Sequence, residues 1–299
     1  MKVLFPFAGA AITALAACGF ASAASCQAPP QVRSGYVAHN GARLYYEEAG
    51  TGPAVVLSHG GFEDRRMWDR EFSWLARNYR VIRYDIRGHG RSQADGVPFA
   101  DWEDLHALLD SLHVGRVAIV GLSMGGGIAA DFALTYPDRV SALVLVGPGL
   151  SGVQPHGGEF DSLMSEMRAA SAIGVSALND AFVRWWCVGP HRQRSEVAPA
   201  VLAAVEEMVA GSGSRWALAG LTRQLNPPAF GRLREIRAPT LVVVGDLDAS
   251  IIFEIADSAA AQVPGARKVV IAGAAHQVNM EKPAEFEAAV RPFLAERVR

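Results

Sequence analysis

The sequence predicts an α/β protein: one mostly parallel sheet with helices on both faces and a helical insertion near the middle of the chain. Three observations predict it. Short runs rich in β-branched residues recur at Ala54–Ser58, Val81–Tyr84, Val117–Val120, Ala142–Val146, Leu241–Val244 and Lys268–Ile271. Runs without clean polar alternation mark strands covered on both faces, as in parallel sheets. Helical patterns lie between them, at Met67–Asn78, Asp101–Leu112, Met124–Tyr136, Phe253–Val263 and Pro283–Val298. Strands alternating with helices build a doubly wound sheet. Finally, no strand is legible between Val146 and Leu241.

Composition narrows the class. Of 299 residues, 50% are hydrophobic and 19% charged, which is globular and too apolar for disorder. Lys plus Arg total 28 against 30 Asp plus Glu, without a basic run, so no nucleic-acid partner is expected. Three Cys are too few for a disulfide scaffold or a Cys-rich zinc module. H-x-x-x-H and C-x-x-C spacings do not occur, so neither a metal nor a cofactor is expected.

The first element reads as an export signal. Lys2 precedes an uncharged stretch, Val3–Gln31, that ends in small residues with an A-x-A site at Ala21-Ser22-Ala23. This is the pattern of a secretory signal peptide over 1–23. Leu15-Ala16-Ala17-Cys18 also resembles a bacterial lipoprotein signal, in which 1–17 is removed and Cys18 carries lipid. A membrane anchor is a third possibility by length, but no basic stop-transfer cluster follows Pro30. The expected location is periplasmic or secreted, membrane-attached only through Cys18. In an oxidising compartment Cys26 and Cys187 either pair or remain thiols.

Arg43–Glu48 reads as a strand beside the turn Gly50-Thr51-Gly52-Pro53. Asp101 is expected to cap its helix, and Pro137 to end the helix from Met124. In the strand-free stretch, Ser162–Ile173, Val175–Trp186, Glu196–Ala210 and Arg215–Gln224 all read as helical. The expected division is a core of 36–150 and 236–299, with a helical cap over 151–235. The cap carries Trp185, Trp186 and Trp216, half of the six Trp. Sheets of this kind bind ligands at the carboxyl ends of their strands. These three Trp therefore line a substrate pocket or hold the cap together.

Gly121-Leu122-Ser123-Met124-Gly125 follows the strand Val117–Val120 and opens a helix. G-x-S-x-G in a strand–turn–helix setting is a nucleophile elbow, which lifts the Ser hydroxyl clear of the sheet at the positive end of a helix. The overlapping run from Gly125 to Ala130 also matches a dinucleotide fingerprint. The next strand, however, ends Val146-Gly147-Pro148-Gly149, without the acid that would bind a ribose. A Ser nucleophile needs a base, and the base an orienting acid. Only His156, His191 and His276 follow Ser123, and His276 alone sits just after a strand end. The other two fall in the cap. For the acid, Asp246 and Asp248 both follow the strand Leu241–Val244, and spacing does not separate them.

With these residues in place, the chain over 36–299 resembles the α/β-hydrolases. His59-Gly60-Gly61 resembles their H-G-x oxyanion loop, and Asp85-Ile86-Arg87-Gly88-His89-Gly90-Arg91-Ser92 their D-x-R-G-H-G-x-S turn. Gly245-x-x-Asp248 places the acid as the family does, and His276 followed by Glu281-Lys282-Pro283 resembles its closing motif. The nearest subgroup is the small esterases, enol-lactonases and cofactor-free haloperoxidases. The resemblance implies a Ser123–His276–Asp248 triad, with Asp248 preferred over Asp246. It implies oxyanion donors at the backbone of Gly61 and Met124. It implies a small ester or lactone as substrate, cleaved through an acyl-enzyme. A perhydrolase or a C–C bond hydrolase would use the same triad, and a non-catalytic ligand-binding protein is the reading from a different class. Serine at the elbow departs from the dehalogenases and epoxide hydrolases, which carry Asp there. His59 and His89 are expected to serve structure, Asp85 and Arg87 to fix their turn as a pair, and Asp131 to bond locally.

Overall fold

A computed structural model describes Met1, residues 31–154, 157–212, Arg215 and residues 218–298. The expected signal segment, with Cys18 and Cys26, lies outside the described residues, as do His156 and Trp216.

The apolar runs form strands, mostly a residue or two longer than the sequence suggests. They are β1 (Arg33–His39), β2 (Ala42–Ala49), β3 (Ala54–Ser58), β4 (Arg80–Tyr84), the two-residue β5 (Gln93–Ala94), β6 (Val117–Leu122), β7 (Val140–Val146), β8 (Thr240–Gly245) and β9 (Arg267–Ile271). They join one sheet in the order β1-β2-β4-β3-β6-β7-β8-β9, with β5 paired to β2. All pairs from β4 to β9 are parallel, whereas β1, β2 and β5 add antiparallel pairs at one edge. Strand β1 escaped the sequence reading because most of its residues are exposed.

Successive strand residues point to opposite faces. Val56, Ile119, Leu143 and Val242 pack with α2 (Asp101–Ser111), α3 (Met124–Thr135) and α7 (Ser250–Gln262). Their neighbours Val55, Val120, Val144 and Val243 pack with α1 (Asp69–Leu75) and α8 (Pro283–Arg297) on the other face. Each such side chain contributes roughly 1.5–3 kcal/mol when buried. Between β7 and β8 lie α4 (Gly158–Ile173), α5 (Val175–Phe182) and α6 (Pro199–Ala210). Phe182 and Met208 of this insertion join the second core.

Four local expectations change. The helix expected over Met67–Asn78 begins as a 3-10 turn, Arg65–Trp68, because the Asp64 carboxylate accepts the Arg66 N–H; α1 follows. Asp101 does not cap α2. Ala100 holds that position, and the Asp101 carboxylate instead takes two hydrogen bonds from Arg215. The helix expected over Val175–Trp186 stops at Phe182, after which Val183–Val188 winds as a π-helix, a form frequent at functional sites. Arg215–Gln224 is not one helix: Ala219–Leu221 is a 3-10 turn, and Thr222 bridges to Phe99.

Candidate active site

Strand β6 ends at Leu122, and Ser123 turns the chain sharply into α3 with φ 51° and ψ −112°, in the left-handed half of backbone space. The flanking glycines make that turn fit. A Cβ on Gly121 would stand 2.3 Å from the Gly125 carbonyl oxygen, and one on Gly125 would stand 2.2 Å from that of Ser58. The helix can therefore start directly against the end of β3.

The segment after β7 holds Ser123 from the other side. Ser123 N–H donates to the Val146 carbonyl at 2.9 Å, and Gly149 N–H donates to the Ser123 carbonyl at 2.9 Å. Between these two bonds lies Gly147, whose φ is +44°; a Cβ there would sit 3.1 Å from the His276 ring and 3.2 Å from Asp248 Oδ2. The elbow, the base candidate and the acid candidate thus meet around one glycine. Sequence reasoning passed over Gly147, although the Gly-Pro-Gly at a strand end was the available signal.

Asp248 follows β8 and His276 follows β9. Asp248 Oδ2 accepts a hydrogen bond from His276 Nδ1 at 2.8 Å, and its Oδ1 accepts the Ala249 N–H at 2.8 Å. Both side chains are buried. His276 Nε2 has no hydrogen-bond partner among the described residues, not even Ser123. Such contacts are often long before substrate binds. Asp246 faces elsewhere and accepts the Gly273 N–H at 2.6 Å. His191 is half-exposed beside Glu159.

The loop after β3 places Gly61 beside the elbow: a Cβ on Gly61 would lie 4.0 Å from that of Met124. Its neighbours are tied down. Gly60 N–H donates to Met67 Sδ at 3.3 Å, and Phe62 N–H to His89 Nε2 at 3.2 Å. No described residue accepts from Gly61 N–H, which is left between them. His89 Nδ1 in turn donates to the Arg87 carbonyl, and His59 bridges the Gly60 carbonyl and the Ile86 N–H. Burial lowers the pKa of both rings, which keeps them neutral and suits these bonds. Asp85 and Arg87 do fix the turn, but not as a pair. Asp85 takes Arg65, and the fully buried Arg87 takes Asp104 with two 2.7 Å bonds.

Of the Trp candidates, Trp186 is half-buried with its ring centroid 4.8 Å from that of His276. Trp185 is buried in the insertion, where its N–H donates to Glu166 Oε2 at 2.7 Å. Sequence reasoning also missed Glu63, a fully buried carboxyl against Gly60 whose two oxygens lack a hydrogen-bond partner among the described residues.

Residues 53–283 match the alpha/beta hydrolase fold family. The chain belongs to this family. It is 31% identical over 269 residues to the 2-hydroxy-6-oxononadienedioate/2-hydroxy-6-oxononatrienedioate hydrolase of Burkholderia vietnamiensis, covering 84% of this chain and 91% of that protein. Among solved structures it resembles a thermophilic esterase from Thermogutta terrifontis, with TM-score 0.75 and 28% identity over 89% of this chain and all of the other. The enol-lactonase from Burkholderia xenovorans LB400 superposes with TM-score 0.72 and 27% identity, covering 87% of this chain and all of the other. With that membership and these relatives, the chain is a hydrolase.

Proposed function

We propose that this α/β-hydrolase cleaves carboxylic esters or lactones through an acyl-enzyme on Ser123. The observation that carries the reading is the state of His276. Its Nδ1 is bound by Asp248, and its buried Nε2 has no hydrogen-bond partner among the described residues. With the proton held on Nδ1, Nε2 is left as the acceptor for the Ser123 proton.

Ser123 Oγ attacks the carbonyl carbon while His276 Nε2 takes the hydroxyl proton. The resulting oxyanion accepts from the backbone N–H groups of Met124 and Gly61. The bond to the alkoxy oxygen breaks, and His276 returns its proton to that oxygen, which leaves as the alcohol. Water then attacks the acyl-enzyme with His276 again as base, which releases the acid and restores Ser123. Asp248 orients the ring and stabilises the imidazolium formed twice in the cycle. The export signal over 1–23 assigns this reaction to the periplasm or the exterior, and the insertion over 151–235 serves as the cap above the strand ends.

A panel of 4-nitrophenyl esters and simple lactones tests the reading with the parent enzyme and Ser123→Ala. Turnover by the parent and a loss of about 10⁶ in kcat for the variant are expected. A parent enzyme inert toward the whole panel, or a Ser123→Ala variant of near-parent rate, overturns it.

A further inference from the structure

A cavity of about 360 Å³ opens beside the elbow, and one face of α3 forms a wall of it. Met124, Gly127, Ile128 and Asp131 line it at the i, i+3, i+4, i+7 spacing of a single helical stripe. The stripe begins with the residue after Ser123 and ends, seven residues later, on a carboxyl group. Seven residues of helix rise about 10 Å.

Asp131 is an unusual end for such a wall. It is only 7% exposed. Its Oδ1 accepts from Ser151 Oγ at 2.9 Å, and Ser151 Oγ itself accepts the Ala229 N–H at 3.0 Å. No described residue donates to Asp131 Oδ2. The cations at the cavity are already matched: Arg215 by two bonds to Asp101, and Arg223 by Glu103. Oδ2 is not among the buried unpartnered atoms of the described residues; it stays open to solvent, where a donor entering the cavity can reach it. Burial pushes Asp131 up to about 6, so it still carries charge at neutral pH.

The cavity also has a direction. Ser123, Gly61, His276, Asp248 and Trp186 are not among its lining residues; Phe62, Met124 and Gly149, the neighbours of Gly61 and of the elbow, are, so the cavity begins next to the reacting centre on the Met124 side. In the proposed cycle the leaving oxygen must face His276 to be protonated. The cavity on the Met124 side then takes the acyl chain.

Building on the ester hydrolysis proposed above, we propose that this cavity is the acyl subsite, and that Asp131 Oδ2 accepts a hydrogen bond from a hydroxyl or amide N–H near the far end of the acyl chain. The substrates are thus donor-bearing acyl esters or lactones rather than plain alkanoyl ones. An extended chain advances roughly 1.2 Å per bond, so a 10 Å span corresponds to about eight bonds between carbonyl carbon and donor atom.

The experiment compares 4-nitrophenyl 8-hydroxyoctanoate with 4-nitrophenyl nonanoate, which differ only in a terminal hydroxyl against a methyl group. The reading is the ratio of their kcat/KM values, in the parent enzyme and in Asp131→Leu, which keeps the bulk but can neither accept nor donate. The parent is expected to favour the hydroxy ester by about tenfold or more, and Asp131→Leu to bring the ratio close to one. Ser151→Ala, which frees Oδ1 while leaving the carboxylate, should retain a preference for the hydroxy ester. A structural role for Asp131 would lower both rates and leave their ratio alone, and that result overturns the proposal. So does a parent enzyme that favours the nonanoate, or one that hydrolyses short esters but neither of this pair. If the parent turns over no ester or lactone at all, it is the hydrolytic reading that has failed, and the subsite falls with it.

Discussion

Asp248 Oδ2 lies 2.8 Å from His276 Nδ1, while Asp246, two residues earlier on the same turn, spends its Oδ1 on the Gly273 N–H at 2.6 Å. The two carboxylates are equivalent by spacing and divergent in direction, since consecutive loop residues leave the end of β8 toward different neighbours. In the proposed mechanism only Asp248 can hold the tautomer of His276. Asp248→Asn is expected to lower kcat by about 10⁴, the loss seen when the corresponding acid of serine proteases is amidated. Asp246→Asn weakens one loop hydrogen bond and should cost less than about tenfold. Both are measured on one ester, with circular dichroism to check folding. The reverse ranking would reassign the acid.

Gly147 offers a test of the packing that unites the site. Its φ of +44° strains any side chain, and a Cβ 3.1 Å from the His276 ring would oblige the ring to give by a few tenths of an ångström. Gly147→Ala is expected to lower stability by about 1–3 kcal/mol through backbone strain. It should also reduce kcat by roughly a hundredfold, because the imidazole must shift. Thermal unfolding and steady-state kinetics report the two effects. A variant of parent-like kcat would show that the ring tolerates the displacement.

Glu63 gives the protein a pH dependence of stability. Burial, reinforced by the adjacent Asp64, pushes its carboxyl from 4.5 up to about 8. Between those values the folded chain keeps a proton that the unfolded chain has released. Stability is therefore fully present below about pH 4.5 and is lost as pH rises through 8. Glu71, pushed by burial up to about 7, acts with the same sign over a narrower window. The combined loss is on the order of several kcal/mol. The expected outcome is a Tm that falls from pH 5 to pH 8.5 and falls less steeply in Glu63→Gln. Identical slopes for the two proteins would mean that Glu63 titrates near its ordinary value.

Trp185 and Trp186 are neighbours with different expected phenotypes. Trp185→Phe removes a partly buried hydrogen bond to Glu166 and should lower stability by about 1 kcal/mol, with the ester profile intact. Trp186→Ala removes the ring packed on His276 and should lower kcat/KM by roughly tenfold to a hundredfold. Profiles over an ester series, with Tm for each variant, separate them. Equal kinetic effects would place both rings in the same role.

Much of this architecture is legible because it is written locally. The buried strands are runs such as AVVLS and VAIV, apolar on both faces; the first has the bounds the pattern predicts and the second extends by two residues. The elbow is legible because its strain demands glycine at fixed places around Ser123. The exposed edge strand β1 is not, since solvent on most of its residues erases the apolar signal. Nor is the break at Phe182, because the π-helical turn after it depends on what the insertion packs against rather than on propensity.

Fold class, the order of strands and helices in the core, and the place of Ser123 at a strand-to-helix turn can all be read locally, because each rests on periodicity or on backbone sterics within a few residues. Long-range packing settles which Asp meets His276, that Asp85 and Arg87 turn to different partners, that Gly147 is the point where the elbow, His276 and Asp248 converge, and that Asp131 ends its helical stripe with an open oxygen in a cavity. Those facts are distances between side chains far apart in the chain. They are set by how parallel strands bring their carboxyl ends to one edge, and no local pattern encodes them.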